Sequence, residues 1–86
     1  MLTKIQQKAL NEIKSTINYW KNFQIHDKSL DPLYSVVIEN AQNNICHIMR
    51  HLKTLEKLQE EGYIQILEDR SGYYNRIYKV KLLKED

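Results

Sequence analysis

The stretch Asn43-Asn44-Ile45-Cys46-His47-Ile48-Met49-Arg50-His51-Leu52-Lys53-Thr54-Leu55-Glu56-Lys57-Leu58-Gln59-Glu60-Glu61-Gly62 decides how the chain is read. Ile45, Ile48, Met49, Leu52, Leu55 and Leu58 recur at steps of three and four, the spacing that gathers side chains on one face of an α-helix. Asn43 or Asn44 can cap such a helix, because an Asn side chain accepts hydrogen bonds from the free amides of a first turn. Gly62 is suited to end it in the left-handed conformation. The spacing therefore predicts one long helix that runs to about Glu61. Turned at about 100° per residue, the face opposite the apolar stripe carries Asn43, His47, Arg50, Thr54 and Lys57, with Cys46 and Lys53 beside them.

Beyond Gly62 the period changes to two. Tyr63-Ile64-Gln65-Ile66-Leu67 reads as a strand, Glu68 to Gly72 as turn chemistry, and Tyr74 to Leu82 as the returning strand. Upstream, Thr3 and Gln6 have the spacing of a capping box. Ile5, Ala9, Ile13 and Ile17, flanked by Leu10 and Trp20, form the buried stripe of a first helix ending near Trp20 or Lys21. Residues 22–30 show no helical period and read as a loop, with a short extended piece around Phe23-Gln24-Ile25. Asp31 or Ser29 caps a second helix, with Pro32 in its first turn, where a missing N–H costs nothing. Leu33, Val36, Val37 and Ala41 supply its apolar face, and Ala41 to Asn44 form a tight turn. Helix, loop, helix, turn, helix, hairpin is the order expected of a winged helix-turn-helix, an α+β domain of three helices followed by a two-stranded wing. The expectation is one such domain over residues 1–86.

Composition bounds the rest. A chain of 86 residues has a thin core and little room for a deep pocket. One cysteine, Cys46, cannot form an internal disulfide. The longest apolar run, Val36-Val37-Ile38, is too short to span a membrane, and no signal peptide is evident, so a cytoplasmic protein is expected. With two glycines there is no phosphate-cradling loop, and no nucleophile–base pair or carboxylate pair stands out, so no enzyme and no cofactor are expected. His47 and His51 stand four apart, as zinc ligands on a helix do, but no Glu lies between them. His26 and Cys46 do not complete a four-ligand set, so no metal is expected.

Two stretches resemble a known family. Leu2 to Ile13 is similar to the opening helix of LexA-type DNA-binding domains. His51-Leu52-Lys53-Thr54-Leu55-Glu56 with Glu61-Gly62-Tyr63-Ile64 resembles the end of their recognition helix and the start of the wing. MarR-like and PadR-like repressors share that ending. The chain departs from the pattern in adding Leu58-Gln59-Glu60 before Gly62 and in lacking glycine between helices two and three. The resemblance implies duplex DNA as partner and a small transcriptional regulator, such as a repressor, as function.

Charge placement fits that implication, although the net charge is only +2. Between Asn43 and Thr54 there is no acid, while Arg50, Lys53, His47 and His51 are present. Arg pairs with guanine, Asn with adenine, and Lys and Thr reach phosphates. From Arg70 to Lys84 the only charged residues are Arg70, Arg76, Lys79, Lys81 and Lys84. The expected DNA contacts are Asn43, Asn44, His47, Arg50, Lys53, Thr54 and Lys57 on the helix. In the wing they are Arg70, Tyr73, Asn75 and Arg76. Lys79 and Lys81 fit DNA contact and protection of a sheet edge equally. Tyr19, Trp20 and Phe23 fit core packing, or the interface of a homodimer that reads two half-sites, to which an outward-turned Leu58 would add. The competing function is a protein-binding winged helix that uses the acidic 56–69 region (Glu56, Glu60, Glu61, Glu68, Asp69).

Overall fold

The computed structural model describes residues 2–23 and 32–84. Three helices, α1 (Lys4–Lys21), α2 (Pro32–Gln42) and α3 (Leu52–Glu60), accompany a three-stranded antiparallel sheet of β1 (Ile45–Met49), β2 (Ile64–Asp69) and β3 (Ile77–Leu82). The sheet order is β1-β3-β2. The extended piece expected around Gln24-Ile25, the cap at Ser29 or Asp31, and His26 all lie outside the described residues.

Helix α1 begins as its sequence requires. Thr3 Oγ1 accepts from the Gln6 amide at 3.2 Å, and the Thr3 amide donates to Gln6 Oε1 at 3.0 Å, which closes the capping box. Ala9, Leu10, Ile13 and Ile17 are buried. Ile5, expected on the same stripe, is 64% exposed, because the stripe enters the core only from the second turn. In α2, Ala41 is buried and Val37 half-buried, but Val36 is exposed. Ile38, on the other side, takes the half-buried place.

The long third helix is not formed. Its first third is strand β1, which stands between α2 and α3 in place of a tight turn leading straight into a helix. Asn43 and Asn44 therefore do not cap a helix. Asn44 has φ 61°, a conformation that Asn tolerates better than most residues, and turns the chain into β1. Ile45-Cys46-His47-Ile48-Met49 satisfies a helical period and also alternates, and a short apolar run can obey either. The alternation prevails because β3 is there to pair: Cys46 faces Val80 and Ile48 faces Tyr78 across the ladder. Cys46 and Ile48 point into the core, while His47 and Met49 are exposed on the other face and Ile45 is half-buried there.

Helix α3 has its N-cap at His51 and keeps the rest of the expected helix. Its end is a Schellman motif: the Gly62 amide donates to Gln59 O at 3.0 Å and the Tyr63 amide to Leu58 O at 2.9 Å, with Gly62 at φ +84°. Leu55 and Leu58 are fully buried, so Leu58 is a core residue and does not turn outward toward a second copy. Leu52 is 40% exposed and leaves the apolar stripe.

The C-terminal hairpin runs closer to expectation, with later boundaries, and its sheet has a third strand, β1, where two were expected. β2 pairs with β3 from Ile64↔Leu82 to Asp69↔Tyr78, with an irregularity between Ile66 and Glu68. Tyr78, Val80 and Leu82 alternate into the core against Ile64, while Lys79 and Lys81 face away. One core cluster joins Ala9, Leu10, Ile13 and Ile17 of α1, Leu55 and Leu58 of α3, and the inner face of all three strands. The Gln59 side chain accepts from the Ile66 amide at 2.8 Å, occupying one donor on the outer edge of β2.

A Cβ at Gly62 would meet only the end of the Lys84 side chain, at 3.5 Å. The cost of Gly62→Ala is then conformational, and it should lower folding stability by about 1–2 kcal/mol. A denaturant midpoint equal to that of the wild type would refute this account of the helix end.

Candidate nucleic-acid interface

The break at Arg50-His51 redistributes the residues that the sequence places on one helix face. Asn43 and Asn44 lie at the far end of β1 from the hairpin tip. The Asn43 amide group donates to Glu39 O at 3.1 Å, and Asn44 Oδ1 accepts from Lys21 Nζ at 2.6 Å. Both serve the α2–β1 turn. Lys57 lies on α3 within 3.9 Å of Glu60 and 3.5 Å of Glu61, and those carboxylates offset its charge.

Arg50 follows β1 and points to α1. Its Nε donates to Glu12 Oε2 at 2.9 Å, and Nη2 reaches the same oxygen. Arg50 thus fastens the start of α3 to the first helix. The guanidinium is thus turned toward a carboxylate of α1.

Four residues do come together around the first turn of α3. His51, Lys53, Thr54 and Arg76 line one shallow recess with Ile5, Leu52 and Glu56. Met49, Arg50, His51, Tyr74 and Arg76 line the adjoining one. His51 and Arg76 belong to both. Arg76 Nη1 contacts His51 Nδ1; arginine has no acceptor, so the ring nitrogen accepts. This contact brings the returning arm of the hairpin onto the N-terminal end of α3. The His51 side chain makes no cap, and there is no acid in the first turn of α3. The amide end of the helix, which carries partial positive charge, therefore adds to Lys53 and Arg76. Lys8, exposed one turn along α1 from Ile5, extends the same side.

The hairpin between β2 and β3 is closed by polar groups. The Arg70 amide donates to Ile77 O at 2.8 Å and the Gly72 amide to Asn75 O at 2.9 Å. Ser71 Oγ accepts from the Ile77 amide at 3.2 Å, and the Ser71 amide donates to Asp69 Oδ1 at 2.8 Å. Hydrogen bonds from the Ser71 side chain and backbone hold the Asp69 carboxyl below the usual carboxylate range. Tyr73 and Tyr74 form the tip and Asn75 lies beside them, all exposed.

His47 and Arg70 belong to a different place, the outer face of the sheet. There His47 stands opposite Lys79, which also pairs with Glu68. Arg70 Nε lies 3.3 Å from Glu68 Oε2. His47 titrates below the ordinary histidine value, first through partial burial, then through the positive charges of Arg70 and Lys79, with Glu68 opposing. Cys46, on the inner face, is pushed up to about 12 by burial and then by the charge of Glu12, which makes it unreactive as a thiolate.

His51, Tyr74 and Met49 line these recesses although the sequence pattern does not mark them as contacts. The signal for His51 is its position before a helix with no other cap; Tyr74 shares with Tyr73 a turn that has no aliphatic neighbour. Among the described residues, no group of three or more His, Cys, Asp or Glu is placed to hold a metal, and no helix is long and apolar enough to cross a membrane. Comparison of the chain with protein families, with curated proteins and with solved structures finds no match.

Arg50→Ala should reduce folding stability by about 1 kcal/mol, the upper range for a partly exposed pair. Glu12→Gln should lose a comparable amount, and the double variant should lose less than the sum. Strict additivity in chemical denaturation would show that the pair contributes nothing. In an NMR titration, the His47 midpoint should fall below about 6.5. It should rise in Arg70→Ala and fall further in Glu68→Gln; a midpoint indifferent to both changes would contradict the assigned causes.

Proposed function

We propose that this chain is a small winged-helix-like module that binds duplex DNA and serves transcriptional regulation. The observation that carries the reading is the convergence of Arg76, Lys53 and the amide end of α3 on one surface. Phosphate oxygens suit such a surface: amides at a helix end and flanking cations are common partners for them. The hairpin extends from the same place and can follow the backbone away from the helix.

The mode of contact differs from a long helix lying in a groove. Beyond its first turn, α3 exposes Glu56 and Glu60, and those carboxylates oppose deep insertion beside phosphates. Backbone contact by the first turn and the wing supplies the affinity. Sequence preference then comes from Thr54 and from Asn75 beside the hairpin tip. In this reading two copies act together, one on each half-site, with Tyr19 and Tyr34, exposed beside Trp20 and Phe23, as the contact.

A mobility shift in a salt series tests the reading. Affinity for duplex DNA should fall steeply as salt rises. Lys53→Ala with Arg76→Ala should weaken binding to all sequences and flatten the salt dependence by about two, one for each phosphate that is no longer neutralised. The melting temperature should stay close to that of the wild type. If the double variant binds as the wild type does, the interface is elsewhere. If the folded protein binds no duplex while Glu60→Lys with Glu61→Lys abolishes its regulatory activity, the module binds protein through its acidic side.

A further inference from the structure

We infer that the hairpin tip is a stacking platform for unpaired bases, so that the preferred ligand is a duplex carrying a single-stranded extension. The inference rests on the DNA reading above and specifies the form of DNA. Tyr73 is 93% exposed and Tyr74 90% exposed. Their rings meet edge to face, 4.8 Å apart at 79°. Neither ring belongs to the core.

The hairpin does not need these rings in order to close. Its turn is held by Gly72 to Asn75, by Arg70 to Ile77, and by Ser71, all through polar groups. Almost any small polar residue would serve between Gly72 and Asn75. Two aromatic rings displayed in water at that position are explained by a ligand that covers them.

The surroundings of the rings select the ligand. The tip itself has no aliphatic residue to build an apolar protein contact, and Arg76 flanks it on the side of α3, while Arg70 on its other side is paired with Glu68. Tyr74 borders the recess of about 320 Å³ that Met49, Arg50, His51 and Arg76 also line. Flat rings beside cations match a flat base on a phosphate backbone, and base–aromatic stacking tolerates any sequence. A base inside a duplex has both faces covered by its neighbours. An unpaired base in a single-stranded extension presents a free face to the tip, while the first turn of α3 holds the adjoining duplex.

Fluorescence anisotropy with three probes tests this: a blunt duplex, the same duplex with a short overhang, and a single strand. The wild type should bind the overhang duplex about tenfold more tightly than the blunt one, the scale of one stacked base. Tyr73→Ala with Tyr74→Ala should remove that preference, so that overhang and blunt duplexes bind alike, whereas Tyr73→Phe with Tyr74→Phe should keep it. Equal wild-type affinity for blunt and overhang duplexes would overturn the inference and leave the DNA reading standing. Equal weakening on both probes in the alanine variant would overturn it as well. Failure of the folded protein to bind any of the three would overturn the DNA reading itself.

Discussion

Strand β3 is the element on which the rest of this structure depends. It is the central strand, and it carries both ladders: β1 pairs along it from Ile45↔Lys81 to Met49↔Ile77, and β2 from the other side. Its inner side chains, Tyr78, Val80 and Leu82, form the floor on which α1 and α3 rest. Burying a side chain such as Val80 completely is worth about 1.5–3 kcal/mol, and in a thin domain few residues contribute on that scale. β3 also sets the geometry of the recesses around the start of α3. By recruiting Ile45–Met49 into the sheet it fixes where α3 begins, and its first residue follows Arg76, which meets His51 at that beginning.

Local chemistry was legible wherever a short-range interaction decides the conformation. The capping box of Thr3 and Gln6, the end of α3 at Gly62 and the alternation of Tyr78, Val80 and Leu82 depend on residues close in sequence. The strand character of Ile45–Met49 was not legible, because a partner about thirty residues away decides it and the apolar spacing fits either structure. That one ambiguity displaced the expected site. Asn43, Asn44 and His47 left the helix with the strand. Arg50 went to Glu12, a contact across 38 positions that no spacing rule reports. Arg76, Lys53 and Thr54 share a place because the pairing of β1 with β3 sets where α3 begins and β3 brings Arg76 to that beginning.

The charge pattern likewise acquires its meaning in three dimensions. Arg50 and Lys57 add to the basic count of the segment, yet each faces a carboxylate. Arg76 and Lys53 border one surface with the amide end of α3. A net charge of +2 averages over these two situations. The distribution matters more for recognition, since exposed opposite charges a few ångströms apart cancel in the field that a distant phosphate would feel.

The separation between β1 and its partner has a consequence for biosynthesis. The chain emerges from the ribosome N-terminus first, so Ile45–Met49 is made before α3, β2 and β3. Until β3 follows, it has no ladder to join. Ile45–Met49 can therefore join the sheet only after Ile77–Leu82 has been made. Such pairing is non-local and slow compared with helix formation, and the cover over the Cys46 thiol is complete only once it has formed.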